Sequence, residues 1–112
     1  MLEGLDCLVF DIQDIGTRFY TYIGTMSLAM QAAREEGLQF VVLDRPNPIG
    51  GIEVGGSIPP LEECGGITSI HPIPTRHGMT VGELALLFND HFGIHCNLEV
   101  VSMQGWRREM FY

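Results

Sequence analysis

Three stretches of this chain carry side chains suited to binding or acting on a polar substrate. Arg76 and His77 stand just before Gly78 and a Thr80-x-x-Glu83 pair. In such a pair the Thr80 hydroxyl takes the Glu83 backbone N–H and the Glu83 carboxylate takes the Thr80 N–H, which opens a helix as a capping box. The spacing therefore predicts a cationic pair at the positive end of a helix, where anionic groups bind well. Asp11, Gln13, Asp14 and Arg18 form a second group, and Asp44, Arg45 and Asn47 a third.

Each group has a chemical and a plainer reading. Asp11 and Asp14 suit paired carboxylates for acid–base work; otherwise one caps the following helix or pairs with Arg18. Asp44-Arg45 suits a grip on a polar substrate, or a salt bridge closing a turn. Arg76-His77 suits a carboxylate or sugar hydroxyls, and the adjoining Gly78 and capping box favour that over a solvated flanking pair. Tyr20, with Phe19 and Tyr22, suits packing at the core or rim, although an aromatic at a rim also stacks on sugar rings. His71, His91 and His95 read as structural or surface residues rather than metal ligands. Gly93 breaks the helix that would align the last two, and neither Cys nor an acid pair completes a site with them.

No cofactor is expected. Gly50-Gly51 and Gly55-Gly56 do not form the G-x-G-x-x-G pattern of a dinucleotide site, and the chain has neither a P-loop nor a G-x-S-x-G elbow.

The elements that must position these residues alternate in type. Residues 5–10 read as a strand buried on both faces, residues 20–36 as a helix ended by Gly37, and residues 39–43 as a second strand stopped by the Asp44–Pro48 turn. Residues 49–70 are rich in Gly and Pro without a period, so they read as a functional or covering loop. A second helix over residues 81–91 and a third strand over 98–103 follow. The aromatic, charged tail from Gly105 carries no stop signal.

The order β-α-β-loop-α-β predicts an α/β fold, a parallel sheet with helices covering its faces. Ligands of such sheets bind beyond the C-terminal strand ends. The three polar groups are expected to converge there.

The chain has 112 residues, enough for one small domain, and 46% of them are hydrophobic. Six basic residues against 14 acidic give a net charge of −8, which argues against nucleic acid and against an anionic membrane surface. The three cysteines lack C-x-x-C spacing and predict neither a disulfide framework nor a zinc site. Cys7 reads as a small core residue. The opening residues lack the basic and apolar regions expected of a signal peptide, and no apolar run nears the ~20 residues of a membrane span.

Four strings resemble one bacterial family, the exo-β-N-acetylmuramidases of the NamZ type, long known as a domain of unknown function. They are Asp11-Ile12-Gln13-Asp14 with Gly16 to Tyr22, Val42 to Pro48, Pro72-Ile73-Pro74 with Arg76 to Thr80 and Gly82-Glu83-Leu84, and Gly105-Trp106-Arg107-Arg108.

The resemblance implies a glycoside hydrolase of cell-wall recycling that releases terminal N-acetylmuramic acid from peptidoglycan fragments. It also implies a Rossmann-like N-terminal domain with the active site in a cleft against a smaller C-terminal domain. Its partners would be muramic-acid saccharides, whose lactyl carboxylate suits Arg18, Arg45 or Arg76. Asp11, Asp14 and Asp44 are the carboxylates to partner a glutamate that the family carries in a Pro-Glu-His-Gly segment. That segment does not occur here. The loop also reads Val54-Gly55-Gly56-Ser57, where members tend to have an acid at the second position.

Residues 1–112 are thus expected to be a single partial α/β domain, the second half of the family's N-terminal domain without its C-terminal domain, and inactive alone. Full-length relatives are often exported. The competing readings are a non-catalytic sugar-binding or assembly module, and an unrelated small α/β hydrolase using Asp11 and His77. A three-stranded remnant would also leave an open sheet edge that invites self-association.

Overall fold

The computed structural model describes residues 2–111. Three strands, β1 (Cys7–Phe10), β2 (Gln39–Leu43) and β3 (Asn97–Val101), form a parallel sheet in the order β1-β2-β3. Helix α1 (Tyr22–Glu36) links the first two strands. A long loop with one 3-10 turn (Leu61–Glu63), followed by helix α2 (Val81–Asp90), links the last two. This is the α/β architecture predicted from the pattern.

The register sets Leu8, Phe40 and Leu98 side by side, and Phe10, Val42 and Val100 in the next row of that face. Both rows pack under the helices. Phe10, Phe40 and Val42 join Met26 and Met30 of α1 and Leu84 and Phe88 of α2 in one core. Each such side chain contributes about 1.5–3 kcal/mol on leaving water. Gly37 ends α1 at φ 69°, a left-handed turn glycine enters without strain. Gly24 admits the long loop onto α1: a Cβ there would lie 2.2 Å from the Ile67 carbonyl oxygen.

Sheet coverage differs from the expectation of helices on both faces. Right-handed crossovers that step across a sheet in one direction place their helices on the same side. The order β1-β2-β3 does this, so one face is packed and the other is open. Val9 is accordingly 60% exposed rather than buried. Cys7 is only half-buried, and Cys96 is the cysteine that joins the core. α1 also starts two residues later than predicted, at Tyr22, behind Thr21, whose side chain makes no capping hydrogen bond.

Candidate functional site

The C-terminal strand ends open onto three loop segments that are knitted by backbone. The Arg18 N–H donates to the Thr75 carbonyl at 2.8 Å. The Arg76 N–H donates to Gly55 at 2.8 Å, and the Gly55 N–H returns to Arg76 at 3.0 Å. The loop after β1, the Gly-rich loop and the approach to α2 therefore form one rim, with Arg76 at its centre.

The N-terminus of α2 is not vacant. The Thr80–Glu83 capping box forms as predicted. Asp44 adds a second anion: its Oδ1 accepts the Gly82 N–H at 2.8 Å and the Arg45 N–H at 2.9 Å, and its Oδ2 accepts the Thr80 hydroxyl at 3.0 Å. Gly82 is needed for this approach, since a Cβ would lie 2.8 Å from Cγ of Asp44. The positive helix end expected to meet a substrate anion is thus filled by the chain's own carboxylates.

His77 departs from its expected place as a substrate-binding residue of the rim. Its side chain is fully buried. Nδ1 accepts the Met79 N–H at 3.1 Å, which leaves the proton of the neutral ring on Nε2. Nε2 faces the buried Asp14 Oδ2 at 3.7 Å, beyond hydrogen-bond length. Asp14 holds the Gly16 N–H at 3.2 Å. Asn47 is buried too, donating to the Met79 carbonyl at 2.9 Å and accepting the Ile49 N–H at 3.0 Å. These three polar residues shape the loops from inside.

Arg18 donates from Nη1 to the Ser57 and Ile73 carbonyls at 2.8 and 2.9 Å, clasping the Gly-rich loop. Gln13 ties the first loop to the second, donating to the Asp14 and Pro46 carbonyls at 2.7 and 2.8 Å.

The charges that reach solvent are fewer. Arg45 pairs with Asp11 at 2.6 Å, and both side chains are close to half exposed. Arg76 pairs with Glu53 at 2.9 Å and also donates to the Ile49 carbonyl. Tyr20 is exposed and sets its ring edge-on to Tyr22, with centroids 4.9 Å apart. The hydrogen bond from Tyr20, and then its charge, raise the Tyr22 phenol above its ordinary value.

The tail contributes more than its sequence suggests. Arg108 accepts the Gly51 N–H on its carbonyl at 2.7 Å. Its guanidinium donates to the Gly78 carbonyl at 3.1 Å, pairs with Glu83 and lies 5.5 Å from the Trp106 ring centroid. The tail is therefore a strap over the Gly-rich loop and the start of α2. Gly105-Trp106-Arg107-Arg108 carries this only as part of a family resemblance. Glu53, in the aperiodic loop, gives no sequence signal for its place beside Arg76.

Two of the clefts among the described residues bear on the site. One of about 140 Å³ lies on the rim between Arg76, Arg108, Glu53, Ile49, Ile52 and Phe111. One of about 450 Å³, with Arg34, His71 and Phe92 in its wall, lies at the C-terminal ends of both helices, on the opposite edge of the sheet. The smaller one adjoins the gathered polar groups. Among the described residues, no helix is long and apolar enough to cross a membrane.

An open-faced parallel α/β unit with a knitted polar rim is the class that this geometry defines. Residues 1–112 match the family model described as exo-beta-N-acetylmuramidase NamZ, N-terminal, and the chain belongs to that family. It is 57% identical over 111 residues to the peptidoglycan beta-N-acetylmuramidase NamZ of Bacillus subtilis (strain 168), covering 98% of this chain and 26% of that protein.

A crystal structure of a DUF1343 family protein from Bacteroides fragilis NCTC 9343 matches with TM-score 0.94 and 49% identity, over 100% of this chain and 29% of that one. A second from the same strain matches with TM-score 0.87 and 38% identity, over 96% and 31%. The chain thus spans between a quarter and a third of the length of these relatives. Family membership displaces the reading as an unrelated hydrolase using Asp11 and His77, and the burial of His77 agrees.

Proposed function

We propose that this chain is part of the N-terminal domain of an exo-acting β-N-acetylmuramidase, supplies part of its substrate rim, and does not hydrolyse alone. The substrates are muramic-acid saccharides derived from peptidoglycan. The observation that carries this reading is the match of the whole chain to the family, joined to a rim at the strand ends where α/β sheets take ligands.

Of the three arginines suited to the lactyl carboxylate, Arg18 already bonds two loop carbonyls from Nη1. Arg45 and Arg76, each held by an acid at the surface, are the better candidates. Gln13, Tyr20 and Asp11 border the same ligand. Asp14, Asn47 and His77 support it from within.

Glycoside hydrolysis uses two carboxyl groups flanking the bond. Among Asp11, Asp14 and Asp44, Asp11 is the one with an exposed carboxylate; Asp14 is buried and Asp44 is committed to α2. Asp11 is therefore the candidate partner for a glutamate supplied from elsewhere in the full-length enzyme. The same observation favours a second reading, a non-catalytic sugar-binding or assembly module, because one exposed carboxylate among these three aspartates is one short of the usual pair.

The purified chain should release no chromophore from a nitrophenyl β-N-acetylmuramide, while N-acetylmuramic acid should give saturable heat in calorimetry. Turnover by the chain would overturn the claim that it is inactive alone. Absence of heat would remove the binding rim and the module reading together.

A further inference from the structure

We propose that the rim cleft at Arg76 is a receptor for a carboxylate on a short, branched carbon stem, and that Glu53 sits on Arg76 as a placeholder which such a ligand displaces. The inference rests on the muramic-acid reading above and names the part of the site that would read the acid.

Four observations converge on it. Arg76 is held rigidly, because its backbone bridges Thr17 on one side and Gly55 on the other. The guanidinium is therefore presented from a fixed point rather than from a mobile loop. Its partner is not fixed in the same way. The Glu53 side chain is 71% exposed, and among the described residues its carboxylate pairs with Arg76. An exposed pair of this kind contributes little and is readily exchanged for another carboxylate. Arg76 Nε is also buried without a hydrogen-bond partner, so the guanidinium is not fully satisfied in the present arrangement.

The cleft itself limits the ligand. At about 140 Å³ it has room for a small acid side group. Ile49, Ile52 and Phe111 supply apolar wall for a methyl or methine, and Arg76 and Arg108 supply positive charge.

The other charges at the cleft are already committed. Arg108 is matched by Glu83, and Glu109 turns to Arg107 at 2.9 Å. Removing Glu53 from Arg76 thus leaves one guanidinium unmatched, and a ligand carboxylate restores the balance by the same charge-assisted bonds. In effect, the loop acid mimics the ligand acid. This predicts an unusual sign: neutralising an acidic residue in the binding cleft should tighten binding of an acid and leave its neutral analogue untouched.

Calorimetric titration of the 112-residue chain with N-acetylmuramic acid, N-acetylglucosamine and D-lactate tests this in the native sequence, Glu53→Gln and Arg76→Lys. Glu53→Gln should tighten N-acetylmuramic acid about five- to tenfold, tighten D-lactate in the same direction and leave N-acetylglucosamine unchanged. Arg76→Lys, which keeps the backbone bridges and the charge but loses the planar fork, should weaken N-acetylmuramic acid several-fold. An unchanged or weaker affinity for N-acetylmuramic acid in Glu53→Gln, with the native chain still binding it, overturns the placeholder and spares the muramic-acid reading. A native chain and Glu53→Gln variant that both ignore N-acetylmuramic acid, while remaining folded by thermal melting, overturn both.

Discussion

Asp44 shows how one side chain decides what a rim can offer. A carboxylate beyond a strand, next to an arginine, has the composition of a substrate grip. Two of its three accepted hydrogen bonds, from Thr80 and Gly82, instead fasten the end of β2 to the start of α2, and the third holds the Arg45 N–H. Asp44→Ala should cost about 2 kcal/mol of unfolding free energy, the upper range for losing a helix cap, measured by urea denaturation. Asp44→Asn should cost less, because it keeps one acceptor. An Asp44→Ala loss below about 0.5 kcal/mol would show that the capping box alone suffices.

Residue types and their gathering at strand ends are legible in the sequence, because glycine, proline and apolar runs mark where strands stop. The direction each side chain takes is not. Thr80 and Gly82 lie 36 and 38 residues from Asp44, so local pattern holds no trace of that choice. His77 likewise turns inward to face Asp14 of the loop after β1, a partner its neighbours in sequence do not encode.

At the scale of elements, the capping box of α2 and the glycine end of α1 were readable because both are local devices spanning a few residues. The single covered face was not, since it depends on the strand order, which pairs segments far apart. Contacts between elements carry a pH signature. His71, from the long loop, stacks on Phe92 at 4.7 Å and meets the Ser27 hydroxyl of α1 at 2.8 Å. Burial lowers its imidazole below the ordinary value of 6.5.

The unfolded chain therefore binds the proton first as pH falls, which favours unfolding. This contribution to stability is intact above 6.5 and declines as pH falls from there to the lowered folded value. Urea midpoints should drop between about pH 7.5 and about pH 5.5, and drop less in His71→Phe, which keeps the stacking without the titration. Equal drops in both chains would remove His71 as the cause.

Taken together, the described residues form a sheet with one face packed, two free edges and a strap. Arg108 and Trp106 close the strap over Gly51, so the chain's end belongs to the rim although it lies beyond the last strand. The open face exposes Val9 and Val101 beside the unpaired backbone of β1 and β3, and such edges recruit further strands. Sedimentation should show association that grows with concentration, and a monomer at every concentration would contradict this.

The central claim is that the strand-end rim, not the larger cleft at the far edge, receives a muramic-acid sugar. Amide chemical shifts of the isotope-labelled chain titrated with N-acetylmuramic acid test it most directly. The account predicts saturable shifts gathered in residues 11–20, 44–57 and 75–80. Shifts gathered around Arg34, His71 and Phe92, or none at all, would contradict it.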